Sequence, residues 1–182
     1  MTMRSVTPGE NPVSLNEARG WLRLGPTIDD AVVAGLVRAA TNICEAFVGQ
    51  WLIERAAEGV LPIKGAPLVP RVRPVVAVDA VALIGIDGGE AVLAADAWDA
   101  VIGRDGTARV TLHQTSGAVR ARLSYRAGIA AEANGIPEAI RQGIVRMTQH
   151  LHDARDGAPA TPPAAIAALW QPWRRMTLGG AA

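Results

Sequence analysis

Cysteine, lysine and long apolar runs are almost missing from this sequence. Among its 182 residues, Cys44 is the only cysteine and Lys64 the only lysine. A single cysteine excludes an internal disulfide and any metal site built from several cysteines. The most apolar stretch, residues 75–86, is only about a dozen residues long and contains Asp79, whereas a bilayer-spanning helix needs roughly 20. We therefore expect no membrane span.

An excess of one charge is also missing. Lys and Arg total 18 against 17 Asp and Glu, which gives a formal charge of +1. This balance gives no general reason to expect binding to nucleic acid or to an anionic membrane. No apolar stretch follows Arg4, so we expect no secretory signal and synthesis in a reducing cytoplasm. Hydrophobic residues make up 49% of the chain, which is typical of a soluble globular fold.

Three helices are predicted from capping residues and apolar periodicity. Residues 14–17, Ser-Leu-Asn-Glu, form a capping-box pattern, and the helix that follows should end at Gly25-Pro26. Thr27 is the expected cap of a longer apolar helix that ends at Gly49. Pro137 is expected at the start of a third helix, whose apolar stripe consists of Ile140, Ile144, Met147 and Leu151.

Extended structure is predicted between these helices. Four prolines at positions 62, 67, 70 and 74 exclude a long helix there, and the neighbouring residues are rich in valine. Turn signals occur at Asp87-Gly88-Gly89, Asp105-Gly106 and Ser116-Gly117. The predicted fold class is therefore α+β, with a helical core of two N-terminal helices and a long C-terminal helix, a small antiparallel sheet inserted at about residues 51–125, and an extended C-terminal tail.

The C-terminal segment has an unusual composition. Residues 156–163 form a linker rich in proline and other helix-breaking residues, and residues 164–170 are predicted to form a short helix that stops before Pro172. Trp, Arg and Met are enriched at protein interfaces. Docking on a partner and folding back on its own chain are equally good interpretations of this segment, and a nucleic-acid contact by the arginine pair is a weaker one. The interface-type residues are Trp170, Trp173, Arg174, Arg175 and Met176.

Histidine and cysteine do not form a recognisable catalytic or metal-binding pattern. His150 and His152 lie about 200° apart around a helix, so they do not readily bind one metal, and we interpret them as surface residues. His113 has no acid or cysteine near it in the sequence. Cys44 lies on the apolar face of the second helix, where a small core residue is expected rather than a nucleophile.

Carboxylates and glycines likewise have structural interpretations. The pair Asp29/Asp30 is explained by the start of the second helix, and Asp96/Asp99 by a solvated loop around Trp98. The segment Gly85-Ile86-Asp87-Gly88-Gly89 has no lysine and no following helix, so it is expected to be a hairpin turn rather than a phosphate-binding loop. Nothing in the sequence specifies an enzyme.

Four ordered motifs resemble the head-tail connector (adaptor) proteins of tailed phages and gene transfer agents. The first is Val-Ser-Leu-Asn-Glu-Ala at 13–18 with Trp-Leu-Arg-Leu at 21–24, before the helix opened by Asp29-Asp30. The others are residues 122–128, residues 136–144 and the ending from Trp170 to Arg175.

The resemblance implies a structural role without catalytic residues or cofactors. Such adaptors form a ring of about twelve subunits beneath the portal, carry a stopper or other neck or tail protein, and surround a channel through which DNA passes without sequence-specific binding. Residues 1–157 would then be one adaptor domain, and residues 158–182 a Pro-rich linker and docking tail. The portal-binding positions would be Trp170, Trp173, Arg174, Arg175 and Met176, in the neck of a particle assembled in the bacterial cytoplasm.

Two other classes remain as alternatives. One is a small α+β enzyme or ligand-binding module with a site on the β-lobe near His113, which requires a defined pocket there. The other is a free DNA-binding protein, which the charge balance disfavours.

Overall fold

The computed structural model describes residues 3–5, 10–25, 30–65, 67–154 and 161–175. The chain divides into two compact units. The sheet unit contains Glu54–Ile129 together with the N-terminal strand, and the helical unit contains Glu10–Ile53 and the chain from Ala130 onward. The chain therefore leaves the helical unit to build the sheet and then returns to it. This confirms an α+β fold with a helical core and an inserted antiparallel sheet.

Among the described residues, four α-helices build the helical unit. They are α1 (Leu15–Leu22), α2 (Asp30–Val48), α3 (Glu138–Ala154) and α4 (Ala164–Trp170), with short 3-10 turns at Ala133–Gly135 and Gln171–Trp173. Helix α3 packs on α1, α2 and α4. Ile140, Ile144 and Met147 of this stripe are fully buried, as the helical periodicity predicts.

The ends of α1 differ in detail from the prediction. Ser14 Oγ accepts a hydrogen bond from the Glu17 amide at 3.1 Å, so Ser14 is the N-cap as expected. The Glu17 carboxylate, however, accepts a hydrogen bond from Arg141 of α3 at 2.9 Å, and in this way ties α1 to α3. The helix ends earlier than Gly25, because Arg23 takes the left-handed conformation (φ 51°) that usually falls to glycine.

Helix α2 is the longest of the described helices and is rich in apolar residues. Its length and a mean hydropathy of 1.5 are sufficient for a membrane span, but core helices of soluble proteins have the same properties. The sequence analysis did not identify this helix as a candidate span. Its buried positions include Val33, Val37, Cys44 and Val48, and it packs on α1, α3 and α4. It ends where expected, because Gly49 follows with a φ of +69°. The expected cap Thr27 and Asp29 lie outside the described residues.

In the part of the sheet unit that the structure describes, the strands form two antiparallel sheets. The larger has the strand order β1-β2-β7-β3-β4, and the smaller is the hairpin β5-β6. In the central strand β7, alternate residues from Ala121 to Ala127 are buried, as a half-buried strand requires. The strands are β1 (Met3–Ser5), β2 (Arg55–Pro62), β3 (Val75–Ile84), β4 (Glu90–Val92), β5 (Trp98–Ile102), β6 (Ala108–Leu112) and β7 (Arg120–Ala127).

Local turns were predicted better than the long-range pairings. Gly88 and Gly106 both have positive φ, and Asp87 Oδ1 accepts from the Gly89 amide at 3.1 Å, which confirms the hairpin-turn interpretation of the Gly85–Gly89 segment. No strand was predicted at the N-terminus. Instead, β1 pairs with β2, with Arg4 opposite Glu58.

Candidate functional site at the C-terminal segment

The segment that was expected to extend from the core folds back on it. From Thr161 to Trp170 it crosses the helical unit, and α4 packs on α2 and α3. Trp170, one of the five positions expected to bind a partner, has no exposed surface. Of the two interpretations offered by the sequence, folding back on its own chain is therefore the correct one for this segment as far as Arg175.

A glycine in α3 provides the space for Trp170. A β-carbon on Gly143 would lie 2.7 Å from indole atom Cε2 and 2.8 Å from Cδ1, closer than side chains can pack. The indole Nε1 donates a hydrogen bond to the Ile140 carbonyl oxygen at 3.2 Å, so the polar edge of the buried ring is satisfied. The Phe47 ring of α2 lies 5.8 Å from the Trp170 ring, tilted by 53°. We call this seat, made by Phe47, Ile140 and Gly143, the Trp170 socket.

Two hydrogen bonds, one from a side chain and one between backbone groups, hold the residues after α4 on the end of α2. Gln50 Nε2 donates to the Trp173 carbonyl oxygen at 2.7 Å. The Arg175 amide donates to the Val48 carbonyl oxygen at 2.9 Å, and so satisfies one of the carbonyls that a helix leaves open at its C-terminus. The left-handed Gly49 also leaves room here, since a β-carbon on it would lie 3.3 Å from the Arg175 carbonyl oxygen.

Among the exposed residues after α4, Trp173 and Arg174 are an aromatic ring and a cation side by side. Trp173 is 36% exposed. The guanidinium of Arg174 lies over the ring of Phe47, 5.1 Å from its centre, in a cation–π arrangement. Within the described part of the chain, no carboxylate or carbonyl contacts this guanidinium. We call Trp173 and Arg174 the tail surface.

The five portal-binding positions predicted from the sequence thus have different environments. Trp170 is buried, whereas Trp173, Arg174 and Arg175 are exposed. Met176 lies outside the described residues. Portal binding by these positions stays a prediction, and a contact of Trp170 with another protein would require α4 to leave its seat.

Sequence reasoning missed the residues that hold the segment. No role in holding the segment was assigned to Phe47, Gln50 or Gly143, although Phe47 and Gly143 line the Trp170 socket and Gln50 binds the Trp173 carbonyl. One signal was available: a glycine in the middle of a helix costs about 1 kcal/mol relative to alanine, so Gly143 required a reason such as close packing.

The His113 region is an exposed ion pair. His113 Nε2 lies 2.7 Å from Asp99 Oδ2, and Nδ1 lies 2.9 Å from the Asp96 carbonyl oxygen. No acid lies near His113 in the sequence; Asp99, 14 positions away, reaches it through the pairing of β5 with β6. The hydrogen bond to Asp99 raises the pKa of His113 above its usual value. The side chains are 44% and 73% exposed, so this pair lies on an open surface and not in an enclosed catalytic site.

The remaining candidates also have structural environments. Cys44 is fully buried, and burial raises the pKa of its thiol well above the usual range, so the core interpretation is confirmed. His150 and His152 are half-buried rather than freely exposed. Among the described residues, no group of three His, Cys, Asp or Glu side chains is placed to hold a metal.

A shallow groove of about 460 Å³ lies between α3 and α4, in the helical unit and not near His113. The end of α3 contributes polar side chains to it, and α4 contributes Ile166. Nε2 of His150 is buried in this region, without a hydrogen-bond partner among the described residues. The groove lining includes Arg146, Gln149, His150, Asp153 and Pro163.

Comparison with known proteins identifies the fold. No protein-family model matches the chain, and no curated protein matches it in sequence. Solved structures match over its whole length. A chain from the neck of an empty gene transfer agent particle, computed with C6 symmetry, has a TM-score of 0.77 and 25% identity, and the match covers 100% of this chain and 99% of that one.

Two further structures give the same result. A chain from the virion of a native gene transfer agent particle and a chain from the neck of a native particle, computed with C12 symmetry, each have a TM-score of 0.78 and 23% identity. Each match covers 100% of this chain and 99% of the other. The fold is one found in gene transfer agent necks. The resemblance drawn from the sequence motifs is thereby confirmed at the level of the fold.

Proposed function

We propose that this chain is a structural subunit of the neck of a phage-like particle, either a gene transfer agent or a tailed phage. The observation that carries the proposal is the match over the full length of the chain to chains of gene transfer agent necks. The match covers nearly all of those chains as well, so the likeness extends to a whole subunit and not to one shared motif.

Within the neck, we propose the adaptor position. The chain forms a ring beneath the portal, binds the portal protein on one side and carries a stopper or other neck or tail protein on the other. Two observations support this assignment: the ordered sequence motifs that resemble those of adaptors, and the C12 symmetry with which one of the similar necks was computed, which fits a ring of twelve subunits. Heterologous contacts related by rotation close into such a ring.

Exposed apolar residues support assembly with other chains. On the sheet unit, Ile86, Val92 and Val101 are 85%, 77% and 67% exposed. Large apolar side chains at the surface favour burial against a neighbouring subunit. DNA passes through the channel of the proposed ring without sequence-specific binding, and the net charge of +1 suits a wall that does not retain its cargo.

No observation favours an enzyme. The alternative site near His113 consists of an exposed histidine–aspartate pair, and a general acid or base usually acts in a concave, water-excluding site. We therefore propose that the chain is not an enzyme and needs no cofactor. It acts in the neck of a particle that is assembled in the bacterial cytoplasm.

A pull-down from the producing cells tests this proposal. The full-length chain carries an N-terminal tag, the copurifying proteins are identified by mass spectrometry, and the material is imaged by electron microscopy. We expect portal and neck or tail proteins together with ring-shaped particles. A monomer that copurifies with no capsid, portal or tail component would contradict the proposal.

A further inference from the structure

We propose that the outer edge of strand β5 pairs, strand against strand, with an extended segment of the neighbouring copy of this chain. The inference rests on the proposed function, because the ring is the assembly in which copies meet, and it adds one of the contacts that join them. β5 lies in the sheet unit and consists of Trp98–Ile102.

The backbone groups of β5 point alternately towards β6 and away from it. Directly after β5, the Gly103 amide donates to the Thr107 carbonyl oxygen on the β6 side at 2.9 Å. Because the register of the hairpin is continuous, the odd-numbered residues of β5 face β6, whereas Ala100 and Ile102 face away from it. Among the described residues, no group bonds the N–H or C=O of Ala100 or Ile102. We call this row of backbone groups the β5 edge.

The hairpin is held in place from its other side. Beyond β6, the Leu68 amide donates to the Val110 carbonyl oxygen at 2.8 Å, and the Val110 amide donates to the Leu68 carbonyl oxygen at 2.9 Å. The turn of the hairpin is attached to β3, because the Val75 amide donates to the Gly106 carbonyl oxygen at 2.9 Å. The β5 edge is therefore ordered before a partner arrives, and an ordered surface loses less conformational entropy on binding.

Strand β5 lacks the features that usually protect an edge. Natural edge strands are commonly shortened, charged with lysine, interrupted by proline or bent by a bulge. β5 is five residues long with an unbroken register, it contains no lysine or proline, and its one charged residue, Asp99, is paired with His113. Val101 and Ile102 are 67% and 39% exposed. By contrast, β1 and β4 at the edges of the larger sheet have three residues each.

The proposed ring places a copy of this chain on either side of each subunit. The C12 symmetry with which one similar neck was computed fits this arrangement. A rotation brings two different surfaces of neighbouring copies together, so β5 meets an element other than β5. Addition of a strand to an exposed sheet edge is a common mode of recognition, in which backbone hydrogen bonds supply the affinity. The segment of the neighbouring copy is therefore extended and places an apolar side chain beside Val101.

Competition for places in the particle tests the β5 edge. A tagged variant is expressed in the producing cells beside the untagged wild type. Quantitative mass spectrometry then compares the ratio of the two chains in the cells with their ratio in purified particles. Ala100→Pro removes an N–H that faces away from β6, so the ladder between β5 and β6 loses no hydrogen bond. We expect the incorporation of Ala100→Pro to fall by at least about tenfold.

A matched control keeps the backbone donor. Ala100→Ser retains the N–H with a side chain of similar size, and it should enter particles as the tagged wild type does. Val101→Glu serves if Ala100→Pro fails to fold, and its incorporation should fall in the same way because it charges the edge. Arg109 lies directly opposite Val101, so this glutamate causes no like-charge repulsion within the hairpin. Circular dichroism and urea unfolding of each purified variant check the fold.

Photo-crosslinking identifies the chain that covers the β5 edge. A photo-crosslinking amino acid replaces Val101 in the tagged chain. In a control it replaces Thr111 on β6, which is exposed but lies one strand away from the edge. In particles that contain tagged and untagged copies, we expect position 101 to crosslink the tagged chain to the untagged one. Position 111 should give less of this product.

The outcomes that overturn the proposal differ from those that overturn the function. Incorporation of Ala100→Pro and Val101→Glu at the level of Ala100→Ser would overturn the pairing of copies through β5. Crosslinks from position 101 that lead only to a portal, stopper or other protein would also overturn it. Both results would leave the chain a subunit of the neck. A tagged wild-type chain that is absent from purified particles would contradict the proposed function, and the pairing with it.

Discussion

The Trp170 indole occupies the space that a β-carbon on Gly143 would fill. Indole atom Cε2 lies 2.7 Å from the position of that absent carbon, and Nε1 donates to the Ile140 carbonyl oxygen one turn earlier in the same helix. Position 143 is therefore restricted to glycine as long as α4 is seated. The absence of a side chain at this one position of α3 therefore allows the C-terminal segment to pack on the helical unit.

Gly143→Ala should destabilise the protein although alanine is the better helix former. The methyl group overlaps the buried indole, and overpacking of a filled core costs about 1–3 kcal/mol. Gly35→Ala in α2 is the matched control, because a β-carbon there meets nothing within 4 Å. Gly35→Ala should therefore stabilise the protein by about 0.5–1 kcal/mol. Urea unfolding measures both changes, and a stabilised Gly143→Ala variant would contradict the socket geometry.

Trp170→Ala and Trp173→Ala should differ sharply in stability. Trp170 is fully buried, so its truncation leaves a cavity and should lower the free energy of unfolding by about 3–5 kcal/mol. Trp173 is 36% exposed and its contact to Gln50 is made by the backbone, so its truncation should cost only about 0.5 kcal/mol. Equal losses in urea unfolding would show that the two residues have similar environments in solution.

Glu45 should contribute to stability as a buried hydrogen-bond acceptor. Its Oε1 accepts from the Leu52 amide at 3.0 Å, where the chain leaves α2. Glu45→Ala leaves that buried amide without its acceptor, which costs about 1–3 kcal/mol. Glu45→Gln keeps a carbonyl oxygen at the same position and should lose less. An Ala variant as stable as the Gln variant in urea unfolding would contradict this role.

The pKa of His113 should lie above its usual value of 6.5, because an imidazolium can donate to both Asp99 and the Asp96 carbonyl. Since the pKa is raised on folding, protonation favours the folded hairpin. The stabilisation by protonated His113 is fully present below the pKa of His113 in the unfolded chain. It is lost as the pH rises through the pKa of His113 in the folded protein. Asp99→Asn should return the pKa towards its usual value. A ¹H–¹⁵N NMR titration measures it, and an unchanged pKa in Asp99→Asn would contradict this cause.

The helices could be predicted because their signals are local. Ser14 caps α1, Gly49 ends α2 and Pro137 precedes α3, and each of these positions was found from its immediate neighbours. The hairpin turn at Gly88 was found in the same way. Local capping and turn chemistry is written within a few residues of where it acts.

The sheet order and the socket could not be predicted because they depend on distant pairings. Strand β7 pairs with β2 and β3, which lie far from it in sequence, and nothing in the alternation of β7 specifies those partners. In the same way, Gly143 and Trp170 are 27 positions apart, and Asp99 and His113 are 14 apart. These contacts arise only when whole elements pack, so local patterns do not contain them.

The most direct test of the central claim is the position of this chain in the particle. An N-terminally tagged full-length chain is expressed in the producing cells in place of the untagged one, and purified particles are labelled with gold against the tag and imaged by electron microscopy. The account predicts gold at the junction of head and tail on most labelled particles. Gold on the capsid shell or at the tail tip, or intact tailed particles that lack this chain, would contradict it.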